Sequence, residues 1–310
     1  MTQSNLKAGV LSPTKPVQFI RKMRGGAQSS LIEAEDGNFY IIKFPDNPQG
    51  PDVLFHEAFG TELMGLVGLP VSDWRPVRIH ANFIDQNRGL WFEGYGSALR
   101  PPRPGLCFGS RLVSATDQES LYEMLPSSWF ELISNRTDFL GMLLFDLWAL
   151  HNDNRQAVFL QDLQTRLIRA TFIDHGALFG KLSQAGLNVG RRTTFLDDKV
   201  YRNTDVSSIL PKWEARIRAL TIDGLYALVF ASSIPCEWYD PCKVDEILTG
   251  LLERQAQTST YISQITSFLN EQYERREHRE DVRIQGAELR SDSLGGSRTS
   301  VPRSRRRVLP

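Results

Sequence analysis

Leu150 to Gly176, LHNDNRQAVFLQDLQTRLIRATFIDHG, holds two acidic loops around two apolar runs. The first run is Ala157 to Leu160, the turn Gln161 to Arg166, and the second run Leu167 to Ile173, followed by Asp174-His175-Gly176. This alternation predicts an antiparallel hairpin, which returns the chain to its start. Asp153 before the first strand and Asp174 after the second then share one mouth of a sheet. Like charges held that close are costly unless a cation or a reacting group lies between them. The same residues also suit plain turns, because Asp and Asn side chains satisfy nearby backbone donors.

A second group lies upstream. Arg24-Gly25-Gly26-Ala27-Gln28-Ser29-Ser30 is rich in donors, with two glycines that let backbone N–H groups turn toward an anion such as phosphate. A Gly-Gly hairpin turn accounts for the same residues without a ligand. Phe39 to Phe44 reads as a strand in which Phe39, Ile41 and Lys43 share a face. A half-buried ammonium there needs an anionic partner, whereas an edge-strand lysine would simply reach water. Leu54 to Gly68 follows as an amphipathic helix with Phe55, Phe59, Leu63 and Leu66 on its stripe. Glu57, off that stripe in the first turn, is placed to pair with Lys43; Glu62 is the second candidate, and a solvated Glu favoured by the helix dipole is the alternative.

The remaining elements must hold these groups. Val17 to Ile20 and Leu31 to Ala34 are strand-like, and Arg75 to Ala81 and Gly89 to Gly94, with Glu93, are expected to complete a small antiparallel sheet. Residues 97–110, containing ALRPPRPGLCFG, read as an irregular crossing between lobes or a proline-rich partner site. From about Leu121 the pattern turns helical. Trp129 to Ser134 is short, and Phe139 to Leu150 is apolar nearly all round and so buried. Asp146 inside that run requires a partner, the loop backbone or Arg155, and is read as structural. Leu178 to Lys199 is mixed loop with Gly180, Gly186, Gly190 and Arg191-Arg192. Pro211 to Ser232 and Lys243 to about Arg275 are read as two helical stretches. Residues 1 to about 16 form a loose lead-in, and 276–310 a disordered tail whose Arg303, Arg305, Arg306 and Arg307 would at most touch nucleic acid or an acidic partner weakly.

Composition narrows the function. The 310 residues are 41% hydrophobic, enough for one bilobed domain or two modest ones. Lys plus Arg and Asp plus Glu are each 36, so no net field recruits nucleic acid or a membrane. Cys107, Cys236 and Cys242 are widely spaced and support neither a zinc site nor a disulfide framework. No signal-peptide core or membrane-length apolar run is visible, so a cytoplasmic protein is expected.

A Gly-rich donor loop, a strand lysine, a helical glutamate, an H-x-D loop and a D-x-G after a hairpin stand in the order of a kinase. Through RGGAQSS, YIIKF, HEAFGTELMGLVGLPV, HNDNRQAVF and FIDHG, residues 17–180 resemble a HipA-like kinase domain, a bacterial branch with lipid-kinase-like relatives. The resemblance implies an α+β, bilobed protein-kinase-like fold with a β-rich N-lobe (about 17–96) and a mainly helical C-lobe (about 111–275). It implies Mg-ATP as cofactor and a hydroxyl acceptor, most simply a protein serine or threonine. It also implies Lys43 on the α- and β-phosphates with Glu57 as its partner, and Arg24, Gly25, Gly26, Ala27, Gln28, Ser29, Ser30 and Glu93 among the nucleotide-contacting residues. Asp153 becomes the general base and Asp174 the magnesium ligand. Kinases place an Asn five positions after the base; here that position is Val158, so Gln156, and after it Asn154, is the nearest amide for the metal. His151 is read as a packing residue. Ser29 or Ser30, beside the proposed γ-phosphate, would be an autophosphorylation site. The best-known family members are toxins held by a DNA-binding antitoxin, but they carry an extra N-terminal segment, and the short lead-in here supplies no basis for that role. A regulatory partner protein is an expectation of the family only. A nucleotide-binding pseudokinase and a small-molecule or lipid kinase are the competing readings, the second weakened by the lack of a membrane-binding face.

Overall fold

In the computed structural model, the glycine-rich loop and the Glu35–Asn38 turn each join neighbouring antiparallel strands, so β1 (Pro16–Lys22), β2 (Ser30–Ala34) and β3 (Phe39–Lys43) follow one another in a sheet. The structure describes residues 12–94, 98–113, 115–180, 195, 198–231, 234–272 and 274. The chain divides into two units, Met1–Thr266 and Ser267–Pro310. The site and both lobes lie in the first; the described residues of the second are helical.

The sheet is completed by β4 (Trp74–Ile79) and β7 (Gly105–Arg111) in the order β1-β2-β3-β7-β4. Here the expectation of an irregular crossing at 97–110 is overturned from Gly105 onward, while residues 101–104 are irregular as expected. The prolines end at Pro104, and Leu106, Cys107 and Phe108 form the continuous buried run of a strand with neighbours on both sides. The expected closing strand at 89–94 shrinks to β5 (Phe92–Glu93), which among the described residues pairs with β6 (Leu99–Arg100) alone, because α2 (Ala81–Gln86) and a tight turn at Arg88–Leu90 take up the preceding chain. Nor is the lead-in wholly loose: Thr14 is buried and bridges to Val77, while residues 1–11 lie outside the described ones. Lys43 sits on a central strand, opposite Phe108, so the edge-strand alternative for it fails.

Helix α1 (Val53–Leu66) crosses behind this sheet with Phe55, Phe59 and Leu63 buried, whereas Leu66, expected on the same stripe, is exposed. It ends as the sequence suggests. Gly68 adopts φ +87°, a left-handed stop that most side chains resist, and Leu69 N–H returns to the Met64 carbonyl at 2.9 Å.

The chain leaves the sheet after β7 and enters β8 (Glu119–Tyr122), a strand where helices were expected. β8 pairs with β9 (Gln156–Asp162), and β9 with β10 (Ile168–Ile173), the hairpin anticipated from the two apolar runs. Below lies α3 (Asp138–Trp148), buried at every position from Phe139 to Trp148. Its end is pinned: Trp148 Nε1 donates to the Leu251 carbonyl at 2.8 Å, and Arg254 Nε to the Trp148 carbonyl at 2.7 Å. The cation at a helix C-terminus also suits the dipole. The helical remainder is more broken than its periodicity suggests. The 211–232 stretch is α4 (Val206–Arg218), capped by Asp205, and α5 (Ile222–Ala231), where Thr221 Oγ1 accepts from Gly224 N–H at 3.1 Å and restarts the helix. α6 (Pro241–Gln255), capped by Asp240, ends before a turn at 256–257. Gly186, Gly190, Arg191, Arg192 and the 276–310 tail lie outside the described residues. The fold is thus α+β, with a β-rich lobe and a mainly helical one. No helix among the described residues is long and apolar enough to cross a membrane.

Candidate active site

The hairpin register pairs Gln156 with Ile173, so the loops before β9 and after β10 leave the sheet side by side. Asp153 and Asp174 consequently line the same two adjoining cavities. One, of about 300 Å³, is bounded by Gln49, Asn152, Asp153, Asn154, Asp174, Gly176 and Ala177. The other, of about 200 Å³, runs back between the lobes and is lined by the 23–27 loop, Ser29, Ile41, Lys43, Glu57, Phe108, residues 110–113, Val158 and Ile173.

Lys43 stands where strand, helix and hairpin meet. It is 6% exposed, pairs with Glu57 of α1, and lies 2.8 Å from Asp174 Oδ1. Glu57, 2% exposed, also accepts the N–H groups of His175 (3.0 Å) and Gly176 (2.9 Å). A Cβ on Gly176 would sit 3.0 Å from Glu57 Oε1 and 3.2 Å from Val53 Cγ1, so glycine is what allows this grip. Burial works against the Lys43 ammonium, but the carboxylates of Glu57 and Asp174 outweigh it and raise its pKa above the ordinary lysine value. Burial likewise opposes charge on Asp174, yet the Lys43 charge and hydrogen bond hold its carboxyl well below the usual range. In the fully enclosed Glu57, burial prevails and raises the pKa despite Lys43. Glu62 is engaged elsewhere, accepting from Trp74 Nε1 at 2.7 Å.

The glycine-rich segment is both a hairpin and a cavity wall. Met23 N–H bonds the Ser29 carbonyl and Gln28 N–H the Gly25 carbonyl, and Asn47 braces the Ala27 carbonyl at 3.1 Å. The amides of Arg24 to Ala27 have no partner among the described residues and border the cavity. Three expected residues are turned elsewhere. Gln28, at φ +46°, clasps the Glu93 backbone, donating to its carbonyl at 2.9 Å and accepting its N–H at 2.7 Å. Glu93 therefore meets the loop from outside, its carboxylate exposed near Lys22. Ser30 is fully buried in β2 with its hydroxyl unpartnered, while Ser29 does reach the cavity. The β alternation puts Ser29 and Ser30 on opposite faces, so only one can line the site.

On the other wall, Gln156 Nε2 donates to Asp174 Oδ2 at 2.8 Å. The residue thus steadies the carboxylate; as a ligand it would have to turn its carbonyl inward. Val158 faces the slot with Ile41 and Ile173, an apolar lining that the sequence reading did not foresee. Asp153 is exposed and, among the described residues, accepts only from the N–H of Asn154 in its own loop, at 2.7 Å. His151 is buried with neither ring nitrogen hydrogen-bonded among the described residues; burial and the nearby Arg155 lower its pKa to about 4, so the ring is neutral near pH 7. Arg155 proved to be more than a partner for Asp146, since it also reaches the loop carrying Asp174.

Two carboxylates and flanking amides form an all-oxygen donor set, which fits a hard divalent cation that keeps some of its water. Among the described residues no cluster of three or more His, Cys, Asp or Glu forms a closed protein cage. A cation here would draw its remaining oxygens from water or from a ligand.

No family model matches the chain, and no curated protein does. Solved structures do. The Helicobacter pylori proinflammatory kinase CtkA aligns with a TM-score of 0.51 at 14% identity, over 80% of this chain and 95% of that one. The Golgi casein kinase aligns at 0.46 with 11% identity, over 83% and 74%, and its form with Mn and ADP bound at 0.45 with 11% identity over the same shares. The CtkA likeness establishes a kinase-like fold for this chain.

Proposed function

We propose that this chain transfers the terminal phosphoryl group of magnesium-bound ATP to a hydroxyl, most simply of a protein serine or threonine, in the manner of HipA-like kinases. The observation that carries this reading is Lys43, buried between Glu57 and Asp174 at the wall of a cavity roofed by unpaired backbone amides. The amides of Arg24 to Ala27 would take phosphate oxygens, and the Lys43 ammonium, oriented by Glu57, would sit on the α- and β-phosphates. Ile41, Val158 and Ile173 would enclose the base. Asp174, with Gln156 beside it, would hold the cation, which when bound neutralises charge on the phosphate oxygens. Asp153, exposed in the mouth and without a cationic partner among the described residues, is suited to accept the acceptor hydroxyl's proton, a role worth about 10²–10⁴-fold in rate. Ser29 would be the autophosphorylation candidate; Ser30, enclosed in β2, would not.

The test is transfer from labelled ATP with magnesium by the wild type, Asp153→Ala and Asp174→Ala, to itself and to lysate proteins. Transfer by the wild type alone supports the reading. Val158 favours one alternative, a nucleotide-binding protein that does not turn over, because no amide occupies the second metal position. A magnesium-dependent thermal shift with ATP but no transfer would establish that alternative, and no shift would overturn both.

A further inference from the structure

Arg155 is fully enclosed, 0% exposed, two residues beyond Asp153, yet it lines neither cavity. Its guanidinium spans three elements. Nε donates to Asp146 Oδ2 at 3.1 Å and Nη2 to Asp146 Oδ1, which anchors the group on α3. Nη1 donates to the carbonyls of Ile173 (3.4 Å) and Asp174 (3.1 Å) and lies 2.9 Å from His175 Nδ1. Asp174 itself has φ +62°, a left-handed conformation that Asp enters more readily than most residues and that its neighbours here hold in place. The constraint is visible from both sides: Arg155 holds the carbonyls of this corner, and Glu57 holds the N–H groups of His175 and Gly176.

We propose that Arg155 is a positioning residue that sets the Asp174 carboxylate for cation binding, the Asp146–Arg155 pair serving as the fixed post against which the corner is held. This rests on the phosphotransfer reading, since it assigns the cation to Asp174. Only a planar fork with five donors can meet Asp146 with two nitrogens and the corner with a third. Lysine at this position keeps the charge that neutralises Asp146 but cannot make both sets of contacts. A purely structural Arg155 would therefore tolerate lysine at the level of metal binding, whereas a positioning one would not.

The experiment titrates magnesium against the ATP-dependent thermal shift of the full chain, for the wild type and Arg155→Lys, with metal-free ATP binding as a control. The expected result is a half-saturating magnesium concentration raised about tenfold or more, in line with the loss of an outer support of a metal ligand, and metal-free affinity within about twofold. An unchanged magnesium requirement, whatever the fall in Tm, overturns the proposal. Should Arg155→Lys fail to fold, Asp146→Asn keeps the guanidinium and loosens its post. A smaller rise in the magnesium requirement there supports the proposal, and none overturns it. A wild type without any magnesium-dependent shift overturns the phosphotransfer reading and this one together; a normal wild type with an indifferent Arg155→Lys overturns this one alone.

Discussion

Asp153 and Asp174 are the same residue type at opposite ends of one hairpin, and their surroundings differ as much as two carboxylates can within a single mouth. Asp153 is exposed and, among the described residues, its side chain is bonded only to the next residue's amide. Asp174 is tied to Lys43 and Gln156 through its side chain and to Arg155 through its carbonyl. Environment, not residue type, separates acid–base work from charge-holding work in paired carboxylates. In the proposed reaction, a group already bound to an ammonium and kept charged to low pH suits the cation, and the exposed carboxylate without a cationic partner among the described residues suits the hydroxyl proton.

The comparison is broken most directly by removing each carboxylate. Asp153→Ala should lower phosphate transfer about 10²–10⁴-fold while keeping the magnesium-dependent stabilisation by ATP, which amounts to about 2.7 kcal/mol at a hundredfold excess over Kd. Asp174→Ala should lose both. Equal loss of the thermal shift in the two variants would show that the division of roles is false. Lys43→Met sharpens the contrast on the stability side. It leaves Glu57 buried without its cation, a change that costs about 3–5 kcal/mol for a broken buried pair, and it frees Asp174 while leaving Asp153 untouched. Urea unfolding that shifts by less than about 1 kcal/mol would mean that Glu57 is held by the His175 and Gly176 amides alone.

Much of this was legible in the chain, and for identifiable reasons. The hairpin that delivers both carboxylates is a local pattern, two apolar runs around a polar turn, and its register follows from its length. Lys43 and Glu57 could be paired because a strand face and a helix turn each leave a charge where burial demands a partner. What was hidden is what depends on non-local company. β7 was masked by the prolines that precede it and reads as a strand only once β3 and β4 stand on either side of it. Ser29 and Ser30 looked equivalent, although adjacent residues entering a strand face opposite ways. Arg155 looked like the counter-charge of Asp146, and its hold on Asp174 follows from the closed hairpin, not from its spacing.

Acid should unlock the two loops in sequence. His151, beneath the Asp153 loop, has its pKa lowered to about 4 by burial and by Arg155, and His175, next to Asp174, is lowered well below the usual histidine value for the same reasons. The unfolded chain binds protons to both near pH 6.5 and the folded chain does not. Stability is therefore complete above about pH 6.5 and falls as the pH drops toward 4, with His151 alone accounting for about 3 kcal/mol. Asp174, depressed in the folded state, adds its own loss only below about pH 4. Urea midpoints from pH 7.5 to 4 test this; a flat profile would refute the neutral burial of His151, and His151→Phe should flatten part of the slope.

The smallest expected effect bears on the roof of the cleft. If Gln28 serves the loop by clasping the Glu93 backbone, then the Glu93 side chain contributes nothing to the nucleotide cavity, because only its N–H and carbonyl are used. Its one charged contact among the described residues is Lys22, 3.4 Å away with the Glu93 carboxylate largely exposed, and exposed pairs contribute little. Glu93→Ala should accordingly leave stability within about 0.5 kcal/mol and ATP affinity unchanged. Gln28→Ala removes both clasping bonds from a loop in which the Arg24 to Ala27 amides have no partner among the described residues, and should weaken ATP binding while the Asp153 and Asp174 loops keep their geometry. Affinity measured by calorimetry separates the two. A loss in Glu93→Ala as large as in Gln28→Ala would return Glu93 to the cavity and make the loop a poorer guide to where the phosphates lie.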